Sequence, residues 1–354
     1  MIKGAIIGCG WVANSYHIPA FRTLKGVEIV AVCDQDENIA RVTARRWGIP
    51  RVYEDFSRLM AEENLDFVDI CTPPQVHFPL SIQAMRSGLH ILVEKPMAIN
   101  LSQADEMLRI SEDNNVKLCV AHNFLFSPVV QRAKALVDAG AIGDLVNVEI
   151  KLLERREMIN KQSHWYHSLP GGVFGDFAPH AVYLESAFLG KVNSIKAIAR
   201  KYSDFSWVAA DELKVLLEAE NAAGAFTISC NSPRASFIMD IFGTKKNLHI
   251  DNLTMSIVQH KAGEIKIRDL AVDDLYSSLQ QAVGAVSILL KTAFGQKRWY
   301  TSGQRTIIQR FVESIRNNTA VPVTGEDGRE TMRILDDIWG QLDILNSPVG
   351  GGGG

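Results

Sequence analysis

"IKGAIIGCGWVA", residues 2–13, runs from small and β-branched apolar residues into two glycines and then into a helical pattern. This is the G-x-G-x-x-A order of a dinucleotide site. Gly8 permits the tight turn, Gly10 lets backbone approach a pyrophosphate, and Ala13 lets the helix pack closely. Trp11 and Val12 begin the helix whose N–H groups attract an anion. The motif alone is weak, but Asp34 ends the next strand, "VEIVAVCD", about 20 residues past the glycine loop. A carboxylate there accepts the ribose hydroxyls of NAD and repels the 2′-phosphate of NADP. Arg41, Arg45 and Arg46 on the following helix keep NADP as the alternative cofactor, although a solvated face beside Asp36 and Glu37 explains them without any ligand. A structural turn without nucleotide is the competing reading of the whole motif.

Outward from this stretch, residues 2–121 alternate short apolar runs with helical patterns. "KGAIIG", "VEIVAVC", "FVDICT", "HILVEKP" and "KLCVAH" are separated by helices near 36–47, 76–87 and 101–115. Runs that are apolar throughout indicate parallel strands covered on both faces, so 1–121 reads as an α/β Rossmann domain with a doubly wound parallel sheet. After residue 122 the rhythm changes. One helix near 127–139 precedes alternating strands such as "LVNVEIKL", "ELKVLLEAE", "GAFTISC" and "SFIMDIF", with "NAAG" and "GTKKN" as turns. This predicts an α+β domain over 122–349, built on a large, mostly antiparallel open sheet. Helices near 303–317 and 326–345 close the chain, the second capped by Thr324, and are expected to pack back on the first domain. Residues 273–300 read as helical without an assigned role, and 350–354 as a flexible glycine tail.

Of the 354 residues, 47% are hydrophobic and 22% charged, the balance of an ordinary globular protein, and the length favours two domains. A formal net charge of −3 offers no field for nucleic acid or an anionic membrane surface. The longest apolar stretch, 282–290, is far short of the ~20 residues a membrane span needs. Five widely spaced cysteines without a C-x-x-C pair fit buried thiols in a reducing compartment. With no secretion signal at the N-terminus, the expected location is cytoplasmic.

Four further stretches bear on chemistry. "CTPPQVH", residues 71–77, ends a strand at the carboxyl edge of the sheet, where open α/β folds bind ligands; its prolines either stiffen a cofactor loop or start a helix. "VEKPMA" ends another strand at that edge. Lys95 there suits hydrogen bonding to a substrate oxygen or proton transfer, with a surface salt bridge to Glu94 as the plain alternative. "GGVFGDFAPH" places Asp176 and His180 four apart, on one face of a helix, after a glycine pair that permits close approach of backbone and ligand. "HWYH" adds His164 and His167 near Glu154 and Glu157. No third ligand has metal-site spacing, so no metal is expected, and these rings equally suit a sugar.

Together, "GCGWVA…H", "CTPPQVH", "VEKPMA", "AHNFLFSP", "GGVFGDFAPH" and "VPVTGEDGRETMRIL" resemble, in order and from residue 2 to about 349, the Gfo/Idh/MocA family of NAD(P)-dependent oxidoreductases. The resemblance implies that Lys95, Asp176 and His180 are catalytic and converge above a nicotinamide. His180 would carry the proton, held by Asp176, while Lys95 polarises the reacting oxygen. It places cofactor contacts at Gly8, Gly10, Trp11, Val12, Ala13, Asp34, Thr72, Pro73, His77, Glu94 and Lys95, and substrate contacts at Asn123, Trp165, His167 and Tyr183. The implied reaction interconverts a secondary alcohol and a ketone on a sugar, sugar derivative or cyclitol. The alternating strands after residue 140 should leave one broad sheet face without helices to cover it, so a homodimer or homotetramer formed through the C-terminal sheet is expected. An NAD-retaining glycoside hydrolase and a non-catalytic NAD-binding sensor are the rival readings. The chain departs from the pattern at Leu125, where many members carry Arg, at Tyr183, where many carry Asp, and at Ala13, where many carry Gly.

Overall fold

The computed structural model describes residues 1–261, 271–272, 275, 278–280, 282–286, 289–290 and 302–342. Of the stretch 273–300, the described residues are helical; its remainder and the glycine tail lie outside the described residues. The chain forms two compact units, residues 1–123 with 304–333, and residues 124–303 with the chain from Ile334 onward.

The first unit is a six-stranded parallel sheet in the order β3-β2-β1-β4-β5-β6. Its strands are β1 (Ile2–Ile7), β2 (Val27–Cys33), β3 (Arg51–Tyr53), β4 (Phe67–Ile70), β5 (His90–Val93) and β6 (Leu118–Val120). Of the central strands, β4 is buried throughout and β5 from Ile91 to Val93, as their largely apolar runs predict. The three residues of β3 are too short to show a period. The chain winds as a π-helix over Ala13–His17 before α1 (Ile18–Phe21), then returns through α2 (Glu37–Trp47), α3 (Phe56–Glu62), α4 (His77–Arg86) and α5 (Leu101–Asp113). Asp36, Asp55 and Asn100 accept first-turn N–H groups of α2, α3 and α5, which fixes where those helices begin.

The second unit holds a seven-stranded sheet in the order β13-β12-β11-β7-β10-β9-β8, antiparallel except for the parallel pair β7/β10. Its strands are β7 (Leu145–Leu153), β8 (Val192–Arg200), β9 (Glu212–Ala219), β10 (Ala223–Ser229), β11 (Ser236–Gly243), β12 (Lys246–Asp251) and β13 (Ser256–Lys261). Helices α6 (Pro128–Asp138) and α7 (Phe174–Leu189) belong to the same unit, and α7 covers β7 and β10. Val148, Ile150, Phe226 and Ile228 are therefore buried beneath it.

Helix α8 (Ser302–Asn317) packs Phe311 edge-on against Phe67, at 5.6 Å between ring centroids. The Val323 carbonyl accepts the Val120 N–H at 3.3 Å, which ties the chain before α9 (Gly325–Gly340) to β6. Thr324 and Asp327 form a reciprocal cap at the start of α9. All five cysteines are buried and unpaired. No helix among the described residues is long and apolar enough to cross a membrane.

Candidate functional site

In the first unit, Gly8 has φ +90°, and a Cβ there would stand 2.8 Å from the Cys71 carbonyl oxygen; only glycine fits. A Cβ at Gly10 would project into open space, the room a backbone-bound pyrophosphate needs. Helical geometry starts at Trp11 and Val12. Trp11 lies mostly exposed, edge-on to Tyr16, while Ala13 is fully buried where the helix meets the sheet. Asp34 accepts the Cys9 N–H through Oδ2 at 2.8 Å and the Asp36 N–H through Oδ1 at 3.0 Å, so its carboxylate is fixed beside the glycine loop. A cavity of about 350 Å³ joins Gly8, Gly10, Asp34, Thr72 and Pro73 to Glu54 and Phe56. The Thr72 hydroxyl is buried without a hydrogen-bond partner. An open glycine face, a fixed carboxylate and an unsatisfied hydroxyl fit a dinucleotide, with Gly8, Gly10, Trp11, Val12, Ala13, Asp34, Thr72 and Pro73 to hold it. Arg41 is paired with Glu37, and the Arg46 guanidinium lies over the Trp47 ring, which accounts for both without a phosphate.

His77 and Glu94 depart from their expected roles. His77 is fully buried, with Nδ1 2.8 Å from the Pro96 carbonyl and Nε2 2.8 Å from the Thr72 carbonyl. Burial lowers its pKa, and the two carbonyls only partly oppose this. A neutral ring donates to one carbonyl at a time, so His77 is wedged between two strand-end loops and hydrogen-bonded to one or the other according to its tautomer. Glu94 turns inward. Its Oε1 meets His17 Nε2 at 2.8 Å and the Gln304 side-chain amide at 3.0 Å, while its Oε2 accepts the Lys95 N–H at 3.2 Å.

The other ring nitrogen of His17, Nδ1, lies 2.7 Å from Asp69, and both side chains are wholly buried. Burial opposes charge on His17, but Asp69 and Cys71 together outweigh it and the imidazole pKa is raised well above its usual value. Burial lifts Asp69, offset in part by His17; Glu94 is held below the usual carboxylate range, because His17 outweighs the burial penalty. His17, Asp69 and Cys71 form the one cluster with metal-like spacing among the described residues, yet both imidazole nitrogens already face carboxylates. Lys95 thus leaves β5 with its backbone held by a buried ionic network, and the Lys95–Pro96 bond is cis. His122, one residue past Ala121, is buried and pushed down to about 3 by desolvation, with Glu94 opposing and Lys95 adding to the shift.

In the second unit, Asp176 lies in the first turn of α7 and half-buried His180 one turn later, just after the in-helix Pro179. His180 Nδ1 is 2.8 Å from the Tyr183 hydroxyl, which also accepts the Phe124 N–H at 3.2 Å. Tyr183, expected against substrate, is instead a buried side chain behind the imidazole. The glycine pair also differs from expectation at one member: Gly171, at φ +78°, packs under the Trp339 indole rather than leaving room for a ligand, whereas Gly172 faces open space. Asn123 starts the 3₁₀ turn Asn123–Phe126 at the end of the first unit.

Trp165 and His167 lie in the 3₁₀ turn Trp165–Ser168, whose Tyr166 is buried and bonded to the Met158 carbonyl. The His164 ring stacks on Tyr166 at 3.9 Å. His164 Nδ1 and His167 Nε2 are buried without partners, and desolvation lowers both pKa values. Neutral imidazoles with unsatisfied nitrogens are suited to sugar hydroxyls, which both donate and accept.

Residues 2–122 match an oxidoreductase family with an NAD-binding Rossmann fold, and residues 130–249 match the GFO/IDH/MocA C-terminal domain. "Oxidoreductase P35" of Formosa agariphila is 32% identical over 201 residues, covering 55% of this chain and 63% of that protein, less than two thirds of its length. A D-apiose dehydrogenase of Rhizobium rhizogenes is 29% identical over 259 residues, 70% of this chain and 73% of its own. The WlbA dehydrogenase of Bordetella pertussis, solved with NADH and UDP-GlcNAcA, superposes with a TM-score of 0.80 at 19% identity, covering 97% of this chain and 95% of that one, a likeness of fold.

Proposed function

Because the chain belongs to the GFO/IDH/MocA family, whose N-terminal unit is an NAD-binding Rossmann fold, we propose that it is an NAD-dependent dehydrogenase that interconverts a secondary alcohol and a ketone on a sugar, sugar derivative or cyclitol. The observation that carries this reading is the framing of Lys95. A lysine ending a buried strand at the carboxyl edge of a parallel sheet, its N–H held by a carboxylate that His17 and Gln304 hold in turn, is more constrained than a surface lysine. The D-apiose dehydrogenase relative and the unsatisfied imidazoles of His164 and His167 favour a polyhydroxylated substrate.

Bound NAD would supply the hydride acceptor. In alcohol oxidation the Lys95 ammonium hydrogen-bonds the reacting oxygen and stabilises the developing alkoxide. His180 takes the hydroxyl proton, and Asp176, one helical turn away, supports the resulting imidazolium. In ketone reduction the same groups act in reverse.

The test is a screen of sugars, cyclitols and sugar nucleotides for NADH formation. Once a substrate is found, Lys95→Met and His180→Ala should each lower turnover by about 10²- to 10⁴-fold while NADH binding is retained. Near-normal turnover in either folded variant removes that residue from the mechanism. Release of free sugar without NADH accumulation would assign a glycoside hydrolase instead.

A further inference from the structure

We propose that Tyr183 is the positioning residue of the proton carrier: its hydroxyl holds Nδ1 of His180, so that Nε2 is the nitrogen that exchanges a proton with substrate. This rests on the reading of His180 as that carrier.

Tyr183 follows His180 by three residues on α7, so the two side chains rise from one face of the helix. The phenol ring is 3% exposed, which leaves its hydroxyl little freedom, and that oxygen is 2.8 Å from Nδ1. It is fixed from a second direction by the Phe124 N–H at 3.2 Å. The Phe124 ring meets the imidazole edge-on at 4.9 Å and in turn packs on Phe237 at 4.8 Å. One residue thus grips the imidazole twice, through its ring directly and through its amide by way of the phenol. Rotation of the imidazole by half a turn about its Cβ–Cγ bond would put Cδ2 in place of Nδ1 and break the hydrogen bond.

A neutral phenol differs from a carboxylate at this position. With Nε2 the exchanging nitrogen, Nδ1 keeps its proton in both the neutral and the protonated ring, and the hydroxyl oxygen accepts from Nδ1–H in both. Tyr183 therefore supports the tautomer whose lone pair is on Nε2, and does so without placing a negative charge behind the ring.

The test replaces Tyr183 with Phe, which keeps the buried ring, and separately with a fluorinated tyrosine, which keeps the hydroxyl but makes it a stronger donor and weaker acceptor. Protein carrying nitrogen-15 in its nine histidines is compared by NMR, with His180→Gln assigning the resonance. Tyr183→Phe should displace the His180 Nδ1 signal and lower kcat about ten- to a hundredfold, with KM and NADH affinity nearly unchanged. The fluorinated residue should displace the same signal without loss of thermal stability. An unchanged Nδ1 signal in both proteins overturns the proposal, as does unchanged kcat in Tyr183→Phe. A His180→Gln enzyme with full turnover defeats the prior reading of His180, whereas an inactive His180→Gln with an unaffected Tyr183→Phe defeats only the role given to Tyr183.

Discussion

His17 Nε2 lies 2.8 Å from Glu94 Oε1, which ties the helical segment after the glycine loop to the residue that precedes the candidate catalytic lysine. The imidazole pKa is raised, because Asp69 and Cys71 together outweigh burial, so the ion pair stabilises the fold fully below the unfolded pKa of about 6.5 and less as pH rises toward the folded value. His17→Gln leaves two buried carboxylates without their cation and should cost about 3–5 kcal/mol in acid-to-neutral buffer. Thermal unfolding across a pH series should show the deficit largest below about pH 6.5 and shrinking as pH rises. A deficit that does not depend on pH would mean that the ring contributes by packing alone.

We expect Asp34 to govern cofactor choice. Its carboxylate is fixed by the Cys9 and Asp36 amides, so it cannot swing away from a 2′-phosphate. NADH should bind more tightly than NADPH, and Asp34→Ser should narrow the difference by about tenfold, or about 1.4 kcal/mol. Fluorescence titration with both cofactors checks this, and stronger binding of NADPH to the unaltered protein would refute it.

Glu185 gives the opposite pH signature to a paired acid. It is wholly buried on α7 against Gly224, and burial raises its pKa well above the usual range, with the nearby Ala225 amide offsetting little. Below the unfolded pKa of about 4.3 both states are neutral; above it the unfolded chain ionises first, so stability falls as pH rises toward the folded value, by at most about 1.4 kcal/mol per pH unit. Glu185→Gln should raise the melting temperature, and the gain should grow as pH rises above about 4.3 toward the folded value. A gain that is constant, or a loss, would show that the carboxyl is ionised in the fold.

The sheet face away from α7 keeps Ile198 and Leu216 62% exposed among charged neighbours, with Leu216 opposite Lys196 and Ile198 opposite Lys214. We expect this face to pair with a second copy of the chain, since exposed apolar groups of this kind mark interfaces. Light scattering should report a homo-oligomer, and Leu216→Arg should shift it toward monomer. A monomeric unaltered protein at micromolar concentration would contradict the expectation.

The features legible in the sequence are those written locally. The glycine loop with Asp34 at the next strand end needs only strand, turn and helix signals in order, and the Asp176/His180 spacing needs only a helix. What the sequence hid is set by long-range contact. Glu94 meets His17 and Gln304 across 77 and 210 residues, so nothing near position 94 shows that its carboxylate points inward. His77 stands in a strand-end loop, where a cofactor contact is expected, and only the fold brings the Pro96 carbonyl to its ring. Gly171 reads locally as room for a ligand, because the indole that fills it comes from Trp339, far along the chain.

Gln304 also imposes an order on biosynthesis. The first 123 residues contain every strand of the parallel sheet, yet the amide that meets Glu94 and the Val323 carbonyl that meets Val120 emerge only near the end of translation. At about 5–20 residues per second, roughly 10 to 40 s separate residue 123 from residue 333. Throughout that interval the nascent N-terminal segment carries a half-satisfied polar centre next to Lys95. The first unit therefore is not completed before the second is made, and a ribosome stalled in the C-terminal sheet would display an N-terminal segment with its polar centre still incomplete.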